Sequence, residues 1–239
     1  MVQLENKVLD LSGISNGREW DIMAKVVLSD YSFIKDKIVM KLVNSGKGYM
    51  EDICFKPYLD MAAAFYVLSD YEYREISLIR VEGNMLHKWG VTEDMLFTEA
   101  KKNMERLFPA SIKTFSEKIM ETPEGRDIYM KEGASVYKGA GEGIYIITNT
   151  FYINGAVSIL YDGVLENFAK EKGWERFIIL LPSVHEAMFI QYNGTGSGEL
   201  EKISRILTEN RDSMKTEDFL SSSIYIYDRL GEKLEILEI

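Results

Sequence analysis

The chain is poor in the residue types from which disulfides and metal sites are built. It contains one cysteine, Cys54, and two histidines, His87 and His185. One cysteine cannot form an internal disulfide, which fits a reducing compartment. Zinc needs three or four closely placed Cys, His or acidic ligands, and these three residues are far apart in the chain. We therefore expect no metal ion, while a magnesium site built from carboxylates alone stays open.

The chain also lacks long apolar runs and an excess of basic residues. No apolar run approaches the roughly 20 residues that a membrane-spanning helix needs, and residues 1–13 have neither the basic nor the apolar region of a signal peptide. With 28 Lys and Arg against 38 Asp and Glu, the formal charge is −10, which disfavours binding to a phosphate backbone. The sequence thus predicts a cytoplasmic protein with no nucleic-acid or membrane partner. An acidic surface could still bind a basic protein.

Two glycine-rich runs make poor phosphate-binding loops. The run at 139–143 precedes a predicted strand, whereas a phosphate loop precedes a helix whose first amides bind the phosphate. The run at 194–198 precedes a predicted helix, but Glu199 and Glu201 follow it where a phosphate would need Lys or bare amides. We therefore expect no cofactor.

The most informative stretch of the chain is 144–192, and its first half centres on Asn154-Gly155. This pair lies between apolar runs and is a strong signal for a two-residue turn, because both residues tolerate a positive φ. It predicts an antiparallel hairpin made of strands 144–152 and 156–161.

The second half of the stretch predicts a helix and two more strands. Asp162 is the expected N-cap of a helix over 163–172 that stops at Gly173. The run 177–181 is apolar at every position, which predicts a strand covered on both faces. A tight turn at Pro182-Ser183 then leads into a returning strand over 187–192.

The remaining elements follow from periodicity and from capping residues. Residues 1–19 have no clear period and predict a loose or partly ordered lead-in. The segment 38–43 is either a strand or the continuation of a helix capped by Asp30. Thr92 is the expected cap of a helix that Pro109 stops, with a buried stripe of Met95, Leu96, Ala100, Met104 and Leu107. Further strands are predicted at 21–29, 60–69, 74–81, 223–228 and 233–238, of which 60–69 and 74–81 should form a hairpin. Further helices are predicted at 84–89, where Gly90 ends the helix, and at 111–120 and 199–210.

These elements predict an α+β protein with antiparallel sheets and helices packed on one face. Glycine, proline and charge concentrate between 121 and 143, which marks the best boundary between two halves. We predict an N-terminal α+β lobe at 1–120, a connecting segment at 121–143, and a C-terminal β-β-α-β-β lobe with a terminal helix and hairpin at 144–239.

The candidate catalytic residues are Ser183, His185 and Glu186. A histidine with its ordinary pKa of about 6.5 can move protons at neutral pH. On a strand, however, Glu186 points away from the face shared by the other two, whereas a relay needs an acid on the second imidazole nitrogen. A catalytic His185 would thus need an acid from elsewhere, such as Asp162 or an acid of helix 199–210. The alternative is structural, with the serine and the histidine bonding backbone groups at the turn.

Several segments together resemble a family of proteins from gut clostridia that is catalogued as a domain of unknown function. They are DKIVMKLVN at 36–44, MAAAFYVL at 61–68, HKWGVTEDML at 87–96, RLFPA at 106–110, NGAVSILYDGVLENFAKEKG at 154–173 and LLPSVHEAMF at 180–189. The resemblance runs from about residue 20 to the C-terminus. It implies a cytosolic protein of a bacterium, encoded for example on a mobile element or phage. It implies no established activity.

The chain departs from this family in three places. The resemblance leads us to expect that family members carry an extra N-terminal segment that this chain lacks. His87 stands where the family has an acid, which argues against a role for His87, and Tyr161-Asp162-Gly163 stands where the family has Tyr-Pro-Gly.

Two functional hypotheses remain after these observations. The first is a non-enzymatic protein-interaction module, for example a mobile-element protein that acts on a host factor through acidic and aromatic surface. It is favoured because no convincing catalytic set or cofactor loop is present. The alternative is a hydrolase or transferase that uses His185 as its general base.

Overall fold

The computed structural model describes residues 5–9, 30–46, 53–72, 75–121, 143–192, 194, 198, 200, 201, 203 and 216–238. The predicted strand at 21–29, nearly all of the connecting segment and most of the predicted helix at 199–210 lie outside these residues. The strands form two sheets, and the helices complete the α+β fold that the sequence predicts.

The first sheet has the strand order β1-β5-β4-β2, and β3 also pairs with β4. Its strands are β1 (Glu5–Leu9), β2 (Ile38–Asn44), β3 (Phe55–Tyr58), β4 (Met61–Glu72) and β5 (Glu75–Arg80). β1 is parallel to β5 and all other pairs are antiparallel. The β4–β5 hairpin is confirmed, and 38–43 is a strand. Within the lead-in predicted to be loose or partly ordered, Glu5–Leu9 is an ordered strand, β1, whose partner lies some 70 residues further along the chain.

Three helices follow the capping signals of the sequence. They are α1 (Tyr31–Ile34), continued by a 3-10 turn at Lys35–Lys37, α2 (Gly83–Trp89) and α3 (Glu93–Leu107). The Asp30 carboxylate accepts a hydrogen bond from the Ser32 amide at 2.9 Å, and the Thr92 hydroxyl accepts one from the Met95 amide at 3.3 Å. Gly90 ends α2 in the left-handed conformation at φ 66°, which explains the glycine there.

α3 packs against β2 through one stripe of its surface. Leu96, Ala100 and Met104 are buried, as predicted, and Leu107 is half-buried. Met95 departs from the prediction because its side chain is 50% exposed. Successive helical residues point about 100° apart, so the stripe that buries Leu96 turns its neighbour outward.

The segment after α3 differs from its prediction. Instead of a helix over 111–120, Ala110–Thr114 is a strand (β6) and only Phe115–Met120 is helical (α4). β6 pairs with a strand that begins at Ile144. Pairing with a distant strand has overridden the local helical periodicity.

The second sheet has six antiparallel strands in the order β11-β10-β8-β9-β7-β6. Its remaining members are β7 (Ile144–Asn149), β8 (Arg176–Leu180), β9 (Ala187–Gln191), β10 (Ile224–Asp228) and β11 (Lys233–Ile236). β8 is buried from Phe177 to Leu180, which confirms the predicted strand with both faces covered. The predicted strands at 187–192, 223–228 and 233–238 are also confirmed with slightly different ends.

The predicted hairpin of 144–152 and 156–161 is wrong. Asn154 does adopt a positive φ, at 53°, but Gly155–Leu160 forms a 3-10 helix instead of a strand. β7 has β6 on one side and β9 on the other, so no edge is left for a hairpin partner. The 3-10 helix is buried from Gly155 to Ile159, and packs against β7 and β2.

Helix α5 (Val164–Lys172) confirms the predicted helix but not its cap. Gly163 occupies the N-cap position, while Asp162 forms an ion pair with Lys101. Gly173 ends the helix in the left-handed conformation, as predicted. The helix packs on the second sheet through an aromatic cluster, in which the Phe168 ring lies 4.9–5.4 Å from the rings of Tyr145, Trp174, Phe177 and Phe189.

One continuous apolar core includes residues of both sheets, and a smaller cluster lies around Ile178, Leu180, Leu200 and Ile224. β6 precedes the connecting segment 121–143 and β7 follows it, and these two strands pair with each other. The second sheet therefore contains strands from both sides of the connecting segment. The division into lobes stays a prediction.

Candidate functional site

The ring of His185 lies in the connection between β8 and β9, and both of its nitrogens have partners. The Asn154 amide donates to Nδ1 at 3.2 Å, and Nε2 lies 3.2 Å from Oδ1 of Asp218. Since an amide can only donate, Nδ1 is the unprotonated nitrogen and Nε2 carries the hydrogen that it donates to Asp218. The side chain is only 15% exposed. The imidazole is thus held as one specific neutral tautomer.

The other two candidate residues do not join His185 in a relay. The Ser183 hydroxyl accepts a hydrogen bond from the His185 amide at 3.1 Å, which is the local turn contact expected of a serine after proline. A carboxylate oxygen of Glu186 lies 3.8 Å from the ammonium of Lys118, a residue of α4. An acid from elsewhere does reach the histidine, as a catalytic role would require, but it is Asp218.

The His185 turn is bonded to two other segments through the backbone. The Ala156 amide donates to the Val184 carbonyl at 3.2 Å, and the Val184 amide donates to the Asp218 carbonyl at 2.8 Å. The Thr148 hydroxyl donates to the His185 carbonyl at 2.8 Å. We call His185, Asp218, Asn154 and these backbone contacts the His185 cluster. It joins the 3-10 helix, the β8–β9 turn and the segment that leads into β10.

Gly155 is required by how closely these segments approach. A methyl group on Gly155 would lie 2.6 Å from the His185 carbonyl oxygen and 2.7 Å from the Asn149 amide nitrogen, both well inside van der Waals contact. Only a residue without a Cβ fits here, so the Asn-Gly pair serves close packing as well as a positive φ at Asn154.

Burial lowers the pKa of His185 below its ordinary value, because the surroundings disfavour the charged imidazolium. The carboxylates of Asp218 and Glu186 oppose this shift, and Lys41 reinforces it. The neutral form predominates at neutral pH. A general base needs a free nitrogen facing its substrate, and here the unprotonated nitrogen is occupied by a backbone amide.

A second polar cluster connects the two sheets at Asp60, in the turn between β3 and β4. Its carboxylate accepts hydrogen bonds from the hydroxyls of Tyr225 at 2.5 Å, Ser221 at 2.9 Å and Ser223 at 2.8 Å. Tyr225 is fully buried, and its pKa is raised by burial and by the adjacent Asp60. Beside this Asp60 cluster, the Asn44 side chain donates to the Leu220 carbonyl at 2.7 Å. The arrangement fixes the position of β10 relative to the first sheet.

Two clefts flank the start of α3. One has a volume of about 430 Å³ and is lined by Ile53, Cys54, Phe55, Glu82, Gly83, Asn84 and Glu93. The other has a volume of about 370 Å³ and is lined by Tyr31, Asp94, Met95, Thr98 and Glu99. We call the surface formed by both clefts the acidic face, since the described residues that line each cleft include two carboxylates and no Lys or Arg.

Lys56 neutralises one of the four carboxylates of the acidic face. Its ammonium lies 2.5 Å from Asp94 and 4.8 Å from the centre of the Phe97 ring. Within the described part of the chain, Glu82, Glu93 and Glu99 form no salt bridge. Glu99 and Asp36 lie near enough to Tyr31 to add to the increase in its pKa that burial causes.

The described residues offer little for metal or thiol chemistry. They contain no group of three or more His, Cys, Asp or Glu side chains placed to hold a metal ion. Burial, with a contribution from Glu93, raises the pKa of Cys54 to about 12. This buried thiol therefore stays protonated and unreactive at neutral pH. His87 is exposed on α2, whereas His185 lies between β8 and β9.

Comparison with known proteins places the chain in one family. Residues 3–229 match the family of unknown function DUF5688, and the chain belongs to this family. No curated protein and no solved structure matched the chain. Among the described helices, none is long and apolar enough to cross a membrane.

Proposed function

We propose that this chain is a non-enzymatic protein-interaction module that binds a basic segment of a partner protein at the acidic face. The observation that carries the proposal is the pair of clefts at the start of α3, whose linings combine apolar side chains with carboxylates. A pair of clefts with these linings suits a chain segment in which Lys or Arg side chains alternate with apolar ones.

Exposed apolar side chains support this reading. Phe55 is 36% exposed and Met95 is 50% exposed, one at each cleft, and Phe33 on the neighbouring α1 is 67% exposed. Aromatic and methionine side chains are enriched at the centres of protein interfaces because they bury much apolar area. Three carboxylates without salt bridges to described residues provide the charge that a basic partner would complement.

A designed peptide can test the proposal without knowledge of the natural partner. A peptide of alternating arginine and leucine should bind the protein, whereas a peptide of alternating glutamate and leucine should not. Glu93→Lys and Glu99→Lys should each weaken binding by about tenfold, because each replaces an attraction with a repulsion. Fluorescence anisotropy with labelled peptides measures both effects.

The matched control is Glu175→Lys, which makes the same charge change at an exposed residue before β8. It should leave peptide affinity within about twofold of the original. Equal weakening by all three variants would show that only net charge matters, and would count against a specific acidic face.

The source and location suggested by the sequence extend this proposal. A protein of a gut bacterium that acts in the cytoplasm on a host factor, encoded by a mobile element, would need a binding surface rather than an active site. The genes that neighbour this one test the idea, since integrase, capsid or conjugation genes beside it are expected.

The alternative, a hydrolase or transferase with His185 as general base, is supported by one observation, the Asp218 carboxylate on Nε2. It requires the Asn154 amide to leave Nδ1 when substrate binds. Hydrolysis of activated esters that is lost in His185→Gln and kept in His87→Gln would favour it over the binding module.

A further inference from the structure

Strand β11 is the last strand on its side of the second sheet, and no other described strand lies beyond it. Its surroundings are open to solvent. The side chains of Lys233 and Glu235 are 66% and 52% exposed, and Ile236 is 41% exposed. Leu230, in the turn before the strand, is 78% exposed. An open strand edge can pair with another strand through its free backbone groups.

The hydrogen bonds to β10 show which backbone groups of β11 are not used in the pairing with β10. The Leu237 amide donates to the directly opposite Ile224 carbonyl at 2.8 Å, so this is a hydrogen-bonded pair of the antiparallel ladder. Such pairs alternate, which makes Glu235 and Lys233 the next two residues bonded to β10. The amides and carbonyls of Leu234 and Ile236 consequently point away from β10, toward the open edge.

A strand that pairs with this edge must bond to Leu234 and Ile236, which limits the registers for a second copy of β11. With Leu234 opposite Leu234, Lys233 of each copy faces Glu235 of the other, and both charge pairs are attractive. With Leu234 opposite Ile236, the two Glu235 side chains face each other and repel. A register centred on Lys233 brings two lysines together.

We infer that β11 pairs antiparallel with β11 of a second copy of this chain, with Leu234 opposite Leu234, so that the two second sheets join into one. Lys233 and Glu235 already contact each other within one chain, which places both side chains on the same face of the strand. In the pair each meets its opposite charge on the other copy as well.

A charge-swap experiment tests both the pairing and its register. The protein should form a dimer at high concentration in sedimentation equilibrium, more weakly as salt is raised. Lys233→Glu alone and Glu235→Lys alone should each weaken dimerisation by about tenfold, because each creates two like-charge pairs across the strands. A 1:1 mixture of the two variants should restore it, since every glutamate then faces a lysine of the other chain.

The double variant Lys233→Glu with Glu235→Lys controls for folding and for net charge. It keeps the composition and should dimerise as the original chain does. A chain that stays monomeric up to about 1 mM, a concentration at which even weak pairs form, would overturn the inference. Dimerisation that is unchanged in both single variants, or a mixture that fails to recover, would overturn it equally.

Discussion

The His185 cluster and the Asp60 cluster hold the same stretch of chain by different chemistry. Asp218 and Ser221, three residues apart, contact His185 and Asp60 respectively. His185 uses one acceptor and one donor, and both must be in place for its single tautomer to fit. Asp60 is a carboxylate that only accepts, and it accepts from three hydroxyls. The histidine cluster therefore depends on proton position and close packing, and the aspartate cluster on the presence of negative charge.

Substitution at the close-packed His185 cluster should reduce stability more than substitution at the Asp60 cluster. Gly155→Ala should destabilise the protein by about 3 kcal/mol or more, because the added methyl group meets the His185 carbonyl and the Asn149 amide, which are backbone atoms that cannot rotate away. Chemical denaturation followed by circular dichroism measures the free energy of unfolding.

The control for this prediction is Gly83→Ala in α2. A Cβ on Gly83 would have no neighbour within 4 Å, and alanine favours a helix over glycine by about 1 kcal/mol. This substitution should leave stability unchanged or raise it. A Gly155→Ala variant as stable as Gly83→Ala would show that the 3-10 helix and the His185 turn pack more loosely than described.

The Asp60 cluster should show the next largest effect. Asp60→Ala removes the acceptor of three hydroxyls and leaves the buried Tyr225 hydroxyl without its carboxylate partner, which should cost about 2–4 kcal/mol. Asp60→Asn keeps one acceptor oxygen but adds two donors facing hydroxyls, and should cost about half as much. Urea denaturation of both variants gives the comparison.

Tyr225→Phe separates the contribution of one hydroxyl from that of the whole cluster. It removes one donor to Asp60 without changing the ring, so a loss of about 1–2 kcal/mol is expected. If Asp60→Ala is no worse than Tyr225→Phe, the two serines contribute nothing and the cluster is effectively a single tyrosine–aspartate bond.

The sequence predicted the elements whose signals are local. Asp30 and Thr92 cap helices, and Gly90 and Gly173 end them, because each acts on amides or carbonyls within four residues. The errors occur where a distant strand decides. β6 was predicted as helix because its partner β7 lies beyond the connecting segment, and the 155–160 segment was predicted as strand because nothing local shows that β6 and β9 occupy both edges of β7.

The contacts of the candidate site were likewise predictable only where they are local in the sequence. The Ser183 turn contact follows from Pro182 and Ser183 alone. The acid that reaches His185 lies 33 residues away, in a stretch with no recognisable pattern, and Asp60 is 161 residues from Ser221. The sequence also does not predict the acidic face, because acidic residues such as Glu93 and Asp94 are common in the first turn of a helix, where they interact favourably with its positive end. Their clefts exist only because β3, α1 and α2 pack beside them.

The smallest expected effect concerns the proton on His185. At pH 8, His185→Gln should change the free energy of unfolding by less than about 1.5 kcal/mol, because the glutamine oxygen can accept from Asn154 while its amide donates to Asp218. The pH dependence should change more clearly. The folded-state pKa is lowered, so on acidification the unfolded chain takes up this proton first, at its ordinary pKa of about 6.5.

The protonated imidazole in the folded state would turn an Nδ1 hydrogen toward the Asn154 amide hydrogen, so the cluster resists protonation. Stability should then fall as pH drops through about 6.5, and level off once the pH is below the folded-state pKa. Unfolding measured at pH 8 and pH 5.5 should show this loss in the original chain and in His87→Gln, whose substituted histidine is exposed, but a smaller loss in His185→Gln. An equal loss in all three chains would mean that His185 titrates alike in folded and unfolded protein, and that its tautomer is not held by Asn154 and Asp218.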